Sequence, residues 1–113
     1  MKFTEKTRAL VEERAKGLCE VCGGRVDMAQ IHHRKPRGMG GTKNPASRSP
    51  ANALFVHFRC HEWIERNRTE AYQMGYLVHQ QEASDSKPVL LPNGWFVLMD
   101  DGTLLPSCEP QDG

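Results

Sequence analysis

The feature that most limits how this chain can fold is a repeated spacing. Cys19 and Cys22 are separated by two residues, and after a long gap His57 and Cys60 are separated by two more. Ligands so spaced fit a tight knuckle whose two side chains reach one tetrahedral ion, and two knuckles close a structural zinc site of the Cys3His kind. Such a site pins the segment around residue 20 to that around residue 60. A reduced or redox-active Cys19/Cys22 pair is the competing reading, and Cys108 could replace His57 as fourth ligand. The chain has need of a staple: of its 113 residues 38% are hydrophobic, and ten Gly and seven Pro leave a modest core.

No charged-then-apolar leader opens the sequence and no apolar run reaches membrane-spanning length, so neither export nor insertion is expected. In a reducing compartment, closely spaced cysteines serve metal or redox chemistry more often than disulfides.

A net charge of +1 conceals an asymmetry. Residues 1–80 carry 14 of the 15 Lys and Arg but 8 of the 14 Asp and Glu, whereas residues 81–113 carry one cation against six carboxylates. Between His32 and Arg59 lie Arg34, Lys35, Arg37, Lys43 and Arg48 with no carboxylate among them. That stretch suits a polyanion such as nucleic acid, because each cation near a phosphate releases condensed counterions. A solvated loop with fortuitous charge would look the same.

Apolar residues Ala9, Leu10, Val11, Ala15 and Leu18 among charged neighbours predict an N-terminal amphipathic helix, capped by Thr4 and ending near Gly17. The knuckle follows as a turn between two short strands, and Met28 to His33 reads as a strand. Pro36 to Pro50, rich in Gly, Pro, Ser and Asn, reads as a long loop, functional or disordered. Residues 49–68 read as a capped turn leading into a helix, with Ser49 or Asn52 as cap, and a further helix breaks at Gly75. Near the C-terminus "PNG" and "DDG" separate three apolar runs, the pattern of a small β meander. Trp63, Trp95, Phe96 and Leu98 are expected to pack in the core, His79 is given no role, and Cys108 is most simply a free thiol.

A second ligand set is His32, His33, Asn52, His61 and Glu65. His61 and Glu65 are four apart and share one face of a helix, where they can approach one divalent ion together. Adjacent strand residues point to opposite faces, so if His32 or His33 joins that ion, its neighbour is left to accept a proton. Phosphodiester cleavage requires both parts: the metal neutralises the phosphate and the leaving 3′ oxygen, while the base makes the nucleophile. Two surface histidines beside a knuckle are the competing reading.

The ordered run of knuckle, His32-His33-Arg34, "PRGMGG", Pro50-Ala51-Asn52 and "CHEWIE" resembles the His-Asn-His (HNH) endonucleases, in the zinc-knuckle form of small bacteriophage nucleases. The likeness covers roughly residues 17–80. It implies an α+β fold with a ββα-metal (His-Me finger) core, a structural zinc knuckle on Cys19, Cys22, His57 and Cys60, an N-terminal helix and a C-terminal meander. Residues 1–80 would form the nuclease domain, and 81–113 an acidic extension packed on it. By position, His33 would be the general base, His32 and His61 metal ligands, and Asn52 the asparagine that orients the base or fixes the loop. Glu65 stands where many members have a third histidine, which leaves open whether it binds metal directly, through water, or not at all. His57 stands where the second knuckle usually begins with cysteine. Arg34, Lys35 and Arg37 would contact DNA phosphates, and Gly38, Gly40 and Gly41 would let the loop approach a backbone.

The resemblance therefore implies a metal-dependent endonuclease that nicks or cleaves DNA. It would use Mg²⁺ or Mn²⁺ at the histidines, with Ni²⁺ or Zn²⁺ also accepted there. It further implies a phage-encoded protein acting in the host cytoplasm, in DNA processing or packaging with terminase or portal proteins. Two other classes are compatible with the residues: a non-catalytic zinc-knuckle DNA-binding module, and an accessory partner of a packaging motor that docks through its acidic tail or meander.

Overall fold

The computed structural model describes residues 3–35 and 49–110. Arg37, the glycines at 38, 40 and 41, Lys43 and Arg48 lie outside the described residues. The fold is α+β, with three α-helices and two small antiparallel sheets among the described residues.

Helix α1 spans Glu5–Ala15 and starts where expected, Thr4 Oγ1 accepting from the Thr7 amide at 3.1 Å. It closes one residue earlier than the glycine suggested. Lys16 takes the left-handed conformation (φ 56°) and donates its amide to the Glu12 and Glu13 carbonyls, and Gly17 follows. Its inward stripe is Thr7 and Val11, spaced i, i+4, while Ala9 and Leu18 face solvent. The knuckle's flanking strands reduce to a single bridge between Leu18 and Arg25.

Strand β1 (Gln30–His33) pairs antiparallel with β2 (Ala53–Val56), which sets His32 opposite Leu54 and His33 opposite Ala53. The second strand corrects the expectation of helix after residue 49. A short 3-10 turn covers Pro50–Asn52, and the chain then extends. All four residues of β2 are buried, so its apolar run carries no period that would separate strand from helix. Ser49 precedes the turn without a side-chain cap bond.

Helix α2 (Phe58–Arg66) follows directly, anchored by Cys60 and Ile64, which are four apart and both buried. Asn67 ends it, donating its side-chain amide to the Trp63 carbonyl at 2.9 Å. Helix α3 (Arg68–Met74) stops at Gly75 (φ 82°). Glycine is required there twice over, since an added Cβ would lie 2.1 Å from the Pro88 carbonyl oxygen. The close approach seats the start of the meander. Strands β3 (Val89–Leu91), β4 (Gly94–Leu98) and β5 (Leu104–Pro106) pair in that order. Val89, Leu91 and Leu98 join Val11, Leu54 and Ile64 in one continuous core.

Candidate functional site: two ligand clusters on one hairpin and helix

The knuckle brings Cys19, Cys22, His57 and Cys60 together, their ligand atoms all within 4.8 Å of one another. The turn is made by backbone bonds: the Cys19 amide donates to the Gly24 carbonyl at 2.7 Å, and the Gly23 amide to the Cys19 carbonyl at 2.8 Å. Cys19 Sγ lies 3.6 Å from Cys60 Sγ, and Cys22 Sγ lies 3.3 Å from His57 Nδ1. Tetrahedral zinc with its usual bond lengths separates two sulfurs by about 3.8 Å and a sulfur from a nitrogen by about 3.5 Å. These edges fit. The His57 Nε2 proton goes to the Arg25 carbonyl at 2.8 Å, which leaves the Nδ1 lone pair facing the sulfurs.

The electrostatics of the thiols are consistent with a bound cation. Burial works to raise the Cys19 thiol, but backbone N–H groups of Cys22, His57 and Val21 outweigh it and bring the pKa down to about 7. Cys60 is pushed up to about 12, by burial first and then by the side chain and charge of Cys19. Several thiolates so close together cannot ionise without a positive partner. The cluster could therefore hold a metal ion such as zinc. Cys108 is exposed and lies outside it, so His57 is the fourth member.

The second cluster is His32, His61 and Glu65, again with ligand atoms within 4.8 Å of one another. His32 comes from β1, and His61 and Glu65 from successive turns of α2. His32 is 3% exposed, and its Nε2 lies 2.8 Å from the Tyr76 carbonyl. A carbonyl only accepts, so Nε2 carries the proton and Nδ1 keeps its lone pair. Burial, above all, lowers the His32 pKa to about 4, the neighbouring His61, His33 and Arg34 charges adding to it against the Tyr76 bond, so the ring is neutral at physiological pH. The His61 ring meets it edge-on at 5.2 Å. Glu65 Oε1 is 3.9 Å from His61 Nε2, while its Oε2 accepts from Arg68 at 3.0 Å. The donor set, two imidazoles and a carboxylate, could hold a metal ion.

His33 stands on the opposite face of β1 from His32, half-buried, with its pKa lowered by burial. Both histidines nevertheless contribute to the wall of one cleft of about 230 Å³, shared with His61, Glu65 and Arg68. Arg68 was not singled out from the sequence. Its signal there is slight: it begins the helix after α2, three residues beyond Glu65.

Asn52 is 1% exposed and acts on the loop. Its Oδ1 accepts from the Lys35 amide and from Ser84 Oγ, both at 2.8 Å, and its own carbonyl accepts from the Arg34 amide at 2.9 Å. It thereby clamps the residues immediately after His33. Lys35 is partly exposed beside that clamp.

Arg34 corrects the expectation of a phosphate contact. Its side chain is completely buried and donates to four carbonyls: Gly75 at 2.9 Å, Ala51 at 2.8 Å, Ser84 at 2.9 Å and Lys87 at 2.9 Å. One residue beyond β1, it continues the strand's alternation and is buried on the same side as His32. Trp63 is a second correction. It is 38% exposed and lines an apolar groove with Val21, Cys60 and Tyr76 rather than filling the core. His79 stacks on Tyr72 at 4.0 Å.

A further buried cation is Arg14. It grips Glu20 through Nε (2.9 Å) and Nη2 (2.6 Å) and also donates to the Pro50 and Ala53 carbonyls. Glu20 in turn accepts from the Phe55 amide at 2.9 Å, so α1, the knuckle and β2 share one polar network. No helix among the described residues is long and apolar enough to cross a membrane. No family model, curated protein or solved structure matches this chain.

Proposed function

We propose that this chain is a divalent-metal-dependent HNH endonuclease that nicks or cleaves DNA by phosphodiester hydrolysis. The observation that carries the reading is the convergence of His32, His61 and Glu65 at one point, with His33 on the wall of the same cleft. Strand β1 supplies His32 and His33 and helix α2 supplies His61 and Glu65, with β2 paired to β1 between them in the chain, an order that supports a ββα-metal reading. The Cys3His cluster, filled by zinc, would hold the knuckle that precedes β1 to the start of α2, the helix that carries His61.

His32 Nδ1, His61 and Glu65 would hold the catalytic ion, Mg²⁺ or Mn²⁺ in turnover. When bound, it supplies positive charge to the scissile phosphate and to the departing 3′ oxygen. His33 accepts a proton from water at a ring nitrogen. The water oxygen bonds to phosphorus, the P–O3′ bond breaks, and the 3′ oxygen leaves with that bond's electron pair. Burial lowers the His33 pKa, which favours the unprotonated form a base needs. Asn52 holds the backbone just beyond it. Lys35 and the basic residues of 36–48 suit the DNA backbone, and a role in phage DNA processing beside terminase follows from the resemblance alone.

The test is cleavage of supercoiled plasmid by the wild-type protein and His33→Ala with Mg²⁺, Mn²⁺ and Ni²⁺ tested separately, zinc being measured on both. Metal-dependent nicking by wild type, lost in His33→Ala at unchanged zinc content, is the expected result. If both proteins hold zinc and bind DNA but neither cuts with any metal, the reading gives way to a zinc-knuckle DNA-binding module.

A further inference from the structure

A base must be aimed as well as unprotonated. The Cα–Cβ–ring torsion of histidine is broad, so an imidazole without a hydrogen bond has no preferred plane of its own. His32 is fixed through Nε2 on Tyr76, and His57 through Nε2 on Arg25. His33 differs from both. Among the described residues no hydrogen bond or ion pair reaches its ring, and its defined partner is Phe3, stacked at 4.1 Å between centroids and 20° between planes.

Phe3 is 6% exposed and belongs to the core. It immediately precedes Thr4, whose cap bond to Thr7 fixes the start of α1. The helix start thus sets Phe3, and Phe3 presents a flat face to one side of the His33 ring. Near-parallel contact allows the imidazole to slide but not to tilt. It also leaves both ring nitrogens, which lie at the edge, free to accept and later release a proton. A carboxylate or carbonyl partner would orient the ring too, but would occupy one nitrogen.

We infer that Phe3 is a positioning residue for His33, holding the base in plane by stacking in place of a hydrogen bond. The inference rests on the nuclease reading. Phe3→Leu keeps an apolar side chain of similar bulk and removes the flat face, whereas Phe3→Tyr retains the face.

The experiment compares wild type, Phe3→Leu and Phe3→Tyr by steady-state cleavage of a fluorescent duplex and by the chemical shifts of the His33 ring protons, assigned through His33→Ala. Misorientation of a reacting group reaches on the order of a hundredfold in rate, and a ring that still samples the right plane loses less; Phe3→Leu is expected to lower kcat about tenfold with KM within about twofold. Phe3→Tyr should stay within about twofold of wild type in both. The wild-type His33 protons should carry a ring-current shift that disappears in Phe3→Leu and persists in Phe3→Tyr. Wild-type kcat in Phe3→Leu, with the ring-current shift gone, overturns the positioning role and leaves the nuclease reading standing. Absence of the shift in wild type overturns the stack itself. If wild type carries the shift but cuts with no metal, the nuclease reading fails and the catalytic role of Phe3 falls with it.

Discussion

Replacing Arg34 with methionine should unfold this protein far more readily without altering the charge it presents at its surface. The guanidinium is completely buried and its four bonds reach three separate pieces of chain: Ala51 in the turn before β2, Gly75 at the end of α3, and Ser84 and Lys87 in the segment leading to β3. Bonds from a charged donor are worth about 1.5–3 kcal/mol each, so four that added independently would give about 6–12 kcal/mol. They do not add, because losing the cation also removes its desolvation cost, which is several kcal/mol. Burial opposes the charge here, pulling the Arg34 pKa below the ordinary guanidinium value. The balance is a loss of about 3–5 kcal/mol, the usual cost of breaking a buried charged network. For a small domain with a urea slope of about 1.5 kcal/mol per molar, the midpoint should fall by roughly 2–3 M. Arg34→Lys should lose nearly as much, since a single ammonium cannot reach carbonyls on three segments. The assay is urea unfolding followed by tryptophan fluorescence with zinc present, paired with DNA affinity across a salt series on the folded proteins. The reasoning is refuted if Arg34→Met unfolds within about 1 kcal/mol of wild type while the slope of log affinity against log salt drops by about one, the mark of a lost phosphate contact.

Two further predictions concern the clusters. Cys19→Ser should reduce bound zinc from about one per chain to well below that and abolish cooperative unfolding, while Cys108→Ser changes neither; metal analysis and thermal melts check both. His32 makes stability depend on pH. Its folded pKa of about 4 lies below the ordinary 6.5, so the unfolded chain binds the proton first. The stability is fully present above pH 6.5, declines as pH falls, and by about pH 4 is lower by about 3 kcal/mol. Urea midpoints of wild type and His32→Asn at pH 7 and pH 5, without added divalent ions, should therefore converge at the lower pH; a constant difference would sink this account.

The parts of the fold that were legible from sequence are those written in local chemistry. Two-residue spacing places Cys19, Cys22, His57 and Cys60 in one cluster, because a knuckle needs few residues to form. Gly75 ends α3, and "PNG" and "DDG" divide the meander, because turns demand particular residues. Strand β2 was hidden for the opposite reason. Ala53 to Val56 are buried on every side, and a run with no polar face has no periodicity to read. Trp63 was misplaced because apolar character alone does not say whether a side chain fills the core or lines a groove.

Arg34 shows a deeper limit. Alternation along β1 does separate His33 from its two neighbours, so the sequence contains the statement that His32 and Arg34 share a face. Which face is inside depends on what covers it, and the cover comes from Ala51, Gly75, Ser84 and Lys87, far along the chain. A count of basic residues treats every cation as surface charge, yet Arg14 and Arg34 spend theirs on backbone carbonyls and Glu20 within the fold. The same inward placement that removes Arg34 from the surface charge also ties down the chain just after the strand bearing the two histidines. Arg34 fixes β1 from below while Asn52 clamps the backbone at Lys35, so the strand holds His32 towards Tyr76 and His33 against Phe3. A cation that reads as a substrate contact is better understood as part of the support that lets adjacent imidazoles face different partners.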